Sequence, residues 1–167
     1  MSSNDVGVAN LKPCTLVFLR RGDEILLAMK KRGFGVGKWN GAGGKVEPGE
    51  SIEQAMIREC EEEIGVTPLQ FHKVAVQDFR GVIKGEPWAN LGHTFICDTW
   101  RGEPKETEEM APKWFKVSEI PYDQMWQDDK LWLPLVLEGK LLETIFTFDE
   151  QDNMLTQDIR VVERLQA

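Results

Sequence analysis

The stretch Gly44-Lys45-Val46-Glu47-Pro48-Gly49-Glu50-Ser51-Ile52-Glu53-Gln54-Ala55-Met56-Ile57-Arg58-Glu59-Cys60-Glu61-Glu62-Glu63-Ile64-Gly65-Val66 decides how the rest of the chain is read. Ser51 with Gln54 three residues on matches a capping box, and Gly65 sits where a helix stops. Within that helix Glu59, Glu62 and Glu63 stand at i, i+3 and i+4, on one face. Their arc adjoins the apolar stripe Ile52, Met56, Cys60 and Ile64, which sets them at the edge of a core. Like charges at this spacing repel, more so as they lose water. Arg58 alone cannot neutralise three carboxylates. Oxygen donors without histidine or thiol neighbours favour hard cations, Mg²⁺ first and Mn²⁺ next.

A bare E-x-x-E-E is more often a solvated acidic face, so the flanks decide. Between Gly33 and Gly49 lie seven glycines, an entropic cost that calls for a reason. Gly43-Gly44-Lys45 and the turn Glu47-Pro48-Gly49-Glu50 give a loop whose backbone can approach a phosphate or metal closely. Gly44, Glu50, Arg58, Glu59, Cys60, Glu62, Glu63, Gly65 and Val66 together form G-x5-E-x7-R-E-U-x-E-E-x-G-U, where U is a large aliphatic residue. Only Cys60 departs from the usual residue type.

This run resembles the signature box of the Nudix hydrolases. The resemblance implies an α+β Nudix fold, a mixed β-sheet sandwiched between α-helices, and pyrophosphohydrolase chemistry on a nucleoside diphosphate linked to another group. It implies that Glu59, Glu62 and Glu63 hold divalent cations with the carbonyl of Gly43. It also implies that one of the three takes the proton from the attacking water; Glu63 is favoured, and the sequence does not separate base from ligand. Glu50 and Arg58 are read as a supporting pair that fixes loop to helix.

Around the box the chain reads as one domain over residues 13–167, preceded by a flexible tail over 1–12. Strands are expected at Thr15 to Arg20 and Glu24 to Lys30, about the turn Arg21-Gly22-Asp23. Further strands are expected at Phe71 to Phe79, Gly92 to Trp100 and Lys113 to Val117. A second helical pattern spans Pro121 to Lys140, with Leu133, Val136, Leu137 and Leu141 at helical spacing. A closing hairpin, Leu142 to Asp149 with Met154 to Val162, turns at Gln151-Asp152-Asn153. The formal net charge of −8 disfavours a nucleic-acid polymer as partner. Three cysteines without close spacing point to reduced thiols. With no apolar run of membrane length and no leader-like start, a cytoplasmic, monomeric protein is expected.

The likeness continues outside the box. Met29 to Gly35, Trp39-Asn40-Gly41, Glu109-Met110, Trp114-Phe115, Met125-Trp126, Asp128-Asp129 and Trp132-Leu133-Pro134 resemble the branch of the family that hydrolyses oxidised purine nucleoside triphosphates. That implies a purine pocket with Asn40, Asp128 and Asp129 as its floor and Trp126 stacked on the ring. Leu16, Phe34, Met110 and Trp132 are the implied walls, and Thr15 and Lys30 lie near sugar and phosphates. Glu109 is an implied further metal carboxylate. Neighbouring aspartates repel, so one can keep its proton and donate while the other accepts. Taken singly these residues have plainer readings: the tryptophans as core, Asp128-Asp129 as a helix start. Ala42, Gly81, Ile83 and Asn90 stand where that branch carries Phe, Phe, Phe and Met, which implies a pocket that is wider, wetter or closed from another side. The expected activity is hydrolysis of oxidised or modified purine nucleoside triphosphates, such as 8-oxo-dGTP or 2-hydroxy-dATP, to monophosphate and pyrophosphate. The alternatives are ordinary or O6-alkylated nucleotides, dinucleotides, or a nucleotide sensor that binds without hydrolysis.

Overall fold

A computed structural model describes residues 11–166. Its strands are β1 (Leu11–Arg21), β2 (Glu24–Lys30), β3 (Trp39–Asn40), β4 (Thr67–Ile83), β5 (Glu86–Arg101), β6 (Met110–Lys116), β7 (Leu141–Phe148) and β8 (Met154–Val162). Two α-helices, α1 (Ile52–Ile64) and α2 (Asp129–Leu137), complete the described elements with two short 3₁₀ turns. The strands form a mixed sheet in the order β3-β2-β1-β5-β4-β7-β8, with β6 also paired to β2.

The alternation of side chains along β1 explains the layers. Val17 and Leu19 point to one face and join Met56, Cys60 and Ile64 of α1 in a buried cluster. Phe18 points to the other face and joins Trp132, Leu133 and Val136 of α2. A strand buried on both faces needs a cover on each side, and the two helices supply it. The expected sheet between helices is what the chain forms.

Helix α1 begins and ends as its sequence requires. The Ser51 hydroxyl accepts from the Gln54 N–H at 3.1 Å, and the Gln54 side chain accepts from the Ser51 N–H at 2.9 Å. Gly65 closes the helix in the left-handed region at φ 73°, its N–H donating to the Glu61 carbonyl.

Several boundaries differ from expectation. β1 starts at Leu11, so Leu11 and Lys12, expected in the tail, pair with Ala89 and Asn90 of β5; residues 1–10 lie outside the described residues. β4 and β5 are far longer than expected and meet at Lys84-Gly85, both at positive φ (51° and 78°), the backbone that a tight hairpin demands. The second helical pattern is realised only over Asp129–Leu137. Gly139, at φ 95°, turns the chain, and Leu141 opens β7 instead of continuing the helical face. No helix among the described residues is long and apolar enough to cross a membrane.

Because α1 carries the acidic face, its cap can be tested alone. Ser51→Ala should lower the unfolding free energy by about 1 kcal/mol. In urea unfolding the midpoint falls while the slope stays constant; an unchanged midpoint would show the cap to be idle.

Candidate active site

The glycine loop is laced to β1 before it reaches α1. Val17 and Ala42 exchange backbone hydrogen bonds, and the Thr15 N–H donates to the Gly44 carbonyl at 2.8 Å. This leaves the Gly43 carbonyl without a backbone donor among the described residues, while its N–H donates to Glu63 Oε1 at 2.9 Å. A Cβ on Gly43 would lie 1.8 Å from the Thr15 carbonyl oxygen, and one on Gly44 would lie 1.8 Å from Glu59 Oε2. Only glycine permits this approach of backbone to carboxylate.

Glu63 is 6% exposed, and burial pushes its carboxyl up to about 7, against the pull of the Gly43 N–H and of Lys30. Lys30 Nζ lies 3.7 Å from Glu63 and 3.6 Å from Glu109, which brings the two carboxylates to one cation. Glu109 is also held by Arg32 at 2.9 Å. Glu59 is raised by burial as well, although Arg58 donates to it at 2.8 Å. Glu62 is the most exposed of the three and meets the same Arg58 nitrogen at 3.3 Å. Arg58 grips Glu50 with two nitrogens, at 2.6 and 3.0 Å, and the Lys45 carbonyl at 3.0 Å. Arg58 of α1 thus joins Glu50 and Lys45 of the loop.

Among the described residues no three acidic, histidine or cysteine side chains converge on one point. Arg58 lies between Glu59 and Glu62, and Lys30 lies between Glu63 and Glu109. The donor set nevertheless fits a hard divalent cation. It is all oxygen, two members are raised by burial, and the glycine backbone leaves a carbonyl open beside them.

A cavity of about 340 Å³ opens next to Glu63 and Gly43. Thr15, Lys30, Asn40, Trp126, Asp128 and Asp129 all line it. So do the expected walls Leu16, Phe34, Met110 and Trp132, whereas Glu59, Glu62 and Glu109 stay outside. The Asn40 side-chain oxygen accepts from the Gly41 N–H at 2.8 Å, which leaves its amide hydrogens to the cavity. Asp128 accepts from the Trp132 indole at 2.8 Å, and Asp129 keeps one buried oxygen with no partner. Burial raises both carboxyls, and the charge of Asp128 raises Asp129 further. The two residues do open α2, but they also face the cavity, so the plainer reading is incomplete. One nucleotide-sized cavity thus joins a buried aspartate pair to the helix of the signature box.

The profile of the NUDIX domain matches residues 10–136. The chain belongs to the Nudix hydrolase family. It is 46% identical over 154 residues to an oxidized purine nucleoside triphosphate hydrolase of Danio rerio, covering 92% of this chain and 97% of the relative. It is 44% identical over 149 residues to the protein of that name in Mus musculus, covering 89% and 94%. The mutator MutT protein of Bacillus halodurans superposes with a TM-score of 0.79 at 28% identity, over 89% of this chain and 97% of the other. Nudix hydrolases generally need divalent cations, in keeping with the donor set above.

The four departures do not act together in this Nudix domain. Ala42 does not line the cavity; it is buried in the cluster under α1. Ile83 sits beside the β4–β5 turn, 40% exposed and away from the cavity. At Gly81 a Cβ would meet the Trp88 indole at 2.5 Å, so Trp88 fills that space and closes the wall. Trp88 also packs edge-on against Phe34 at 5.3 Å between ring centroids. Asn90 alone of the four lines the cavity directly. Sequence reasoning missed Trp88 because β5 was expected to begin at Gly92. With the strand begun at Glu86, the alternation of Trp88, Asn90, Gly92 and Thr94 would have pointed to one face.

The aspartate pair gives a pH prediction. A carboxyl whose folded pKa is raised above its ordinary 3.8 destabilises the fold once pH climbs past that ordinary value. Asp129→Asn should therefore melt at least about 2–4 °C above the parent at pH 7. The gap should shrink as pH falls toward 4. Equal melting across this range would show that the pair carries no such strain.

Proposed function

We propose that this Nudix hydrolase converts oxidised or otherwise modified purine nucleoside triphosphates, of the 8-oxo-dGTP and 2-hydroxy-dATP type, to monophosphate and pyrophosphate. It would thereby clear such nucleotides from the pool, as a cytoplasmic monomer acting on free nucleotides. The observation that carries the reading is the shared cavity, lined by Asp128 and Asp129 as well as by Glu63 and Gly43. Two relatives of 46% and 44% identity, both named for oxidised purine triphosphates, support the substrate class.

In this reading Glu59, Glu62, Glu63 and Glu109, with the Gly43 carbonyl, hold divalent cations, Mg²⁺ by preference and Mn²⁺ as a substitute. Bound there, such cations neutralise the polyphosphate and make water a better nucleophile. Glu63 takes the proton from the attacking water; it is the most buried of these carboxylates and the one that lines the cavity. Lys30 binds the phosphates. Glu50 and Arg58 are positioning residues, which hold the loop and the carboxylates in register. Asn40 donates to one edge of the purine, while Asp128 and Asp129 supply an acceptor and, in the protonated partner, a donor. Trp126 offers its ring to the base and Thr15 lies near the sugar; Leu16, Phe34, Met110 and Trp132 exclude water.

A second reading keeps this chemistry but broadens the base to O6-alkylated or unmodified purines. It is favoured by Asn90, a polar side chain in the wall where the oxidised-purine branch carries Met.

With Mg²⁺ and a purine triphosphate panel, the products should be monophosphate and pyrophosphate. No pyrophosphate from any member would point to a sensor that binds without hydrolysis. Glu63→Gln should lower kcat by at least about 10²-fold while the variant still binds nucleotide. Unaltered turnover would remove Glu63 from the chemistry. Asp128→Asn should reduce the preference for oxidised over normal purines, read as a ratio of kcat/KM values, and a constant ratio would exclude it from base reading.

A further inference from the structure

Trp88, Asn90, Gly92 and Thr94 are alternate residues of β5, and all four line the cavity. The backbone of Asn90 is fixed on both sides, paired with Lys12 of β1 and Phe79 of β4. Its side chain is therefore aimed by the sheet and not by a loop. The next polar side chain on this face is already engaged: the Thr94 hydroxyl donates to the Gln77 side-chain oxygen at 2.7 Å. Asn90 differs. Neither end of its half-buried carboxamide meets a hydrogen-bond partner among the described residues, although it offers two donors and an acceptor. Phe79 of β4 and Lys12 of β1 flank it in the sheet, and Trp88 precedes it on the same face of β5. Trp88 rests on Gly81 and against Phe34, so this part of the wall is closed by Trp88 and not by Asn90. A half-buried amide without a partner among the described residues, aimed into the cavity, is free to bond what the cavity holds.

We propose that Asn90 is a specificity-determining residue, which hydrogen-bonds a polar exocyclic group of the purine from the sheet side. Asp128 and Asp129 read the base from α2, and Asn90 adds a second, separate reading from β5. The substrate class is then a purine nucleotide carrying an oxo or amino substituent on the edge turned to the sheet. This rests on the purine-triphosphate reading of the same cavity.

The test compares the full chain with Asn90→Leu, a change close to isosteric, in the presence of Mg²⁺. Three triphosphates are used: 8-oxo-dGTP, 2-hydroxy-dATP and purine 2′-deoxyriboside triphosphate, which has no exocyclic group. For the better of the two oxidised substrates, kcat/KM should fall about tenfold, chiefly through KM, the loss expected for one buried hydrogen bond. For the unsubstituted purine it should stay within about twofold, which also reports that the variant is folded. No fall with any substrate, or an equal fall with all three, would overturn the role of Asn90 while leaving the purine reading intact. Parent protein that turns over none of the three would overturn the oxidised-purine reading, and this inference with it.

Discussion

The rest of the structure depends on the contact of two glycines with two glutamates. Gly43 donates its N–H to Glu63 and lies so near the Thr15 backbone that no Cβ fits, and Gly44 lies against the Glu59 carboxylate. Because the same glycine segment is hydrogen-bonded to β1, the contact fixes α1 to the sheet at the place where its acidic face meets the cavity. Burial of Glu63 follows from this docking, and burial pushes its carboxyl up against the pull of the Gly43 N–H and Lys30. Arg58 and Glu50 hold the other end of the loop, so the segment is fixed at both ends of its run.

The opposite face of the sheet contributes the second half of the site. α2 is anchored by Trp132, which is fully buried and lies edge-on to Phe18 at 6.1 Å. The same Trp132 donates to Asp128, so the packing that seats the helix also orients the aspartate pair. Two neighbouring carboxyls in a buried pocket oppose folding, a cost that a purely structural helix start would not retain. Stability is lower here than an apolar pair would make it, and both carboxyls line the cavity.

Much of this was legible in the sequence, unevenly and for physical reasons. The capped acidic helix, its glycine loop and the Glu50–Arg58 pair rest on short-range spacing, which a single chain displays directly. The cavity-lining residues Asn40, Lys30 and Asp128 were legible only as a joint resemblance, since they come from separate elements brought together by the fold. The length of β4 and β5 was not legible. Residues from Arg80 to Asn90 mix Gly, Pro and charge, and a hairpin that depends on Lys84 at positive φ carries no strong turn signature. For the same reason Trp88 went unseen, and the sequence did not decide whether Gly81 leaves the pocket wider, wetter or closed from another side; Trp88 closes it. Leu141 fitted a helical period, but Gly139 lets the chain leave the helix first.

The central claim, that the cavity joins purine reading to metal-assisted hydrolysis, is tested most directly by kcat/KM values with Mg²⁺ for 8-oxo-dGTP, 2-hydroxy-dATP, O6-methyl-dGTP, dGTP and dATP. The geometry predicts pyrophosphate as product and a preference of at least about tenfold for one or both oxidised nucleotides over dGTP and dATP. Equal values across the set, or a preference for the unmodified purines, would contradict it.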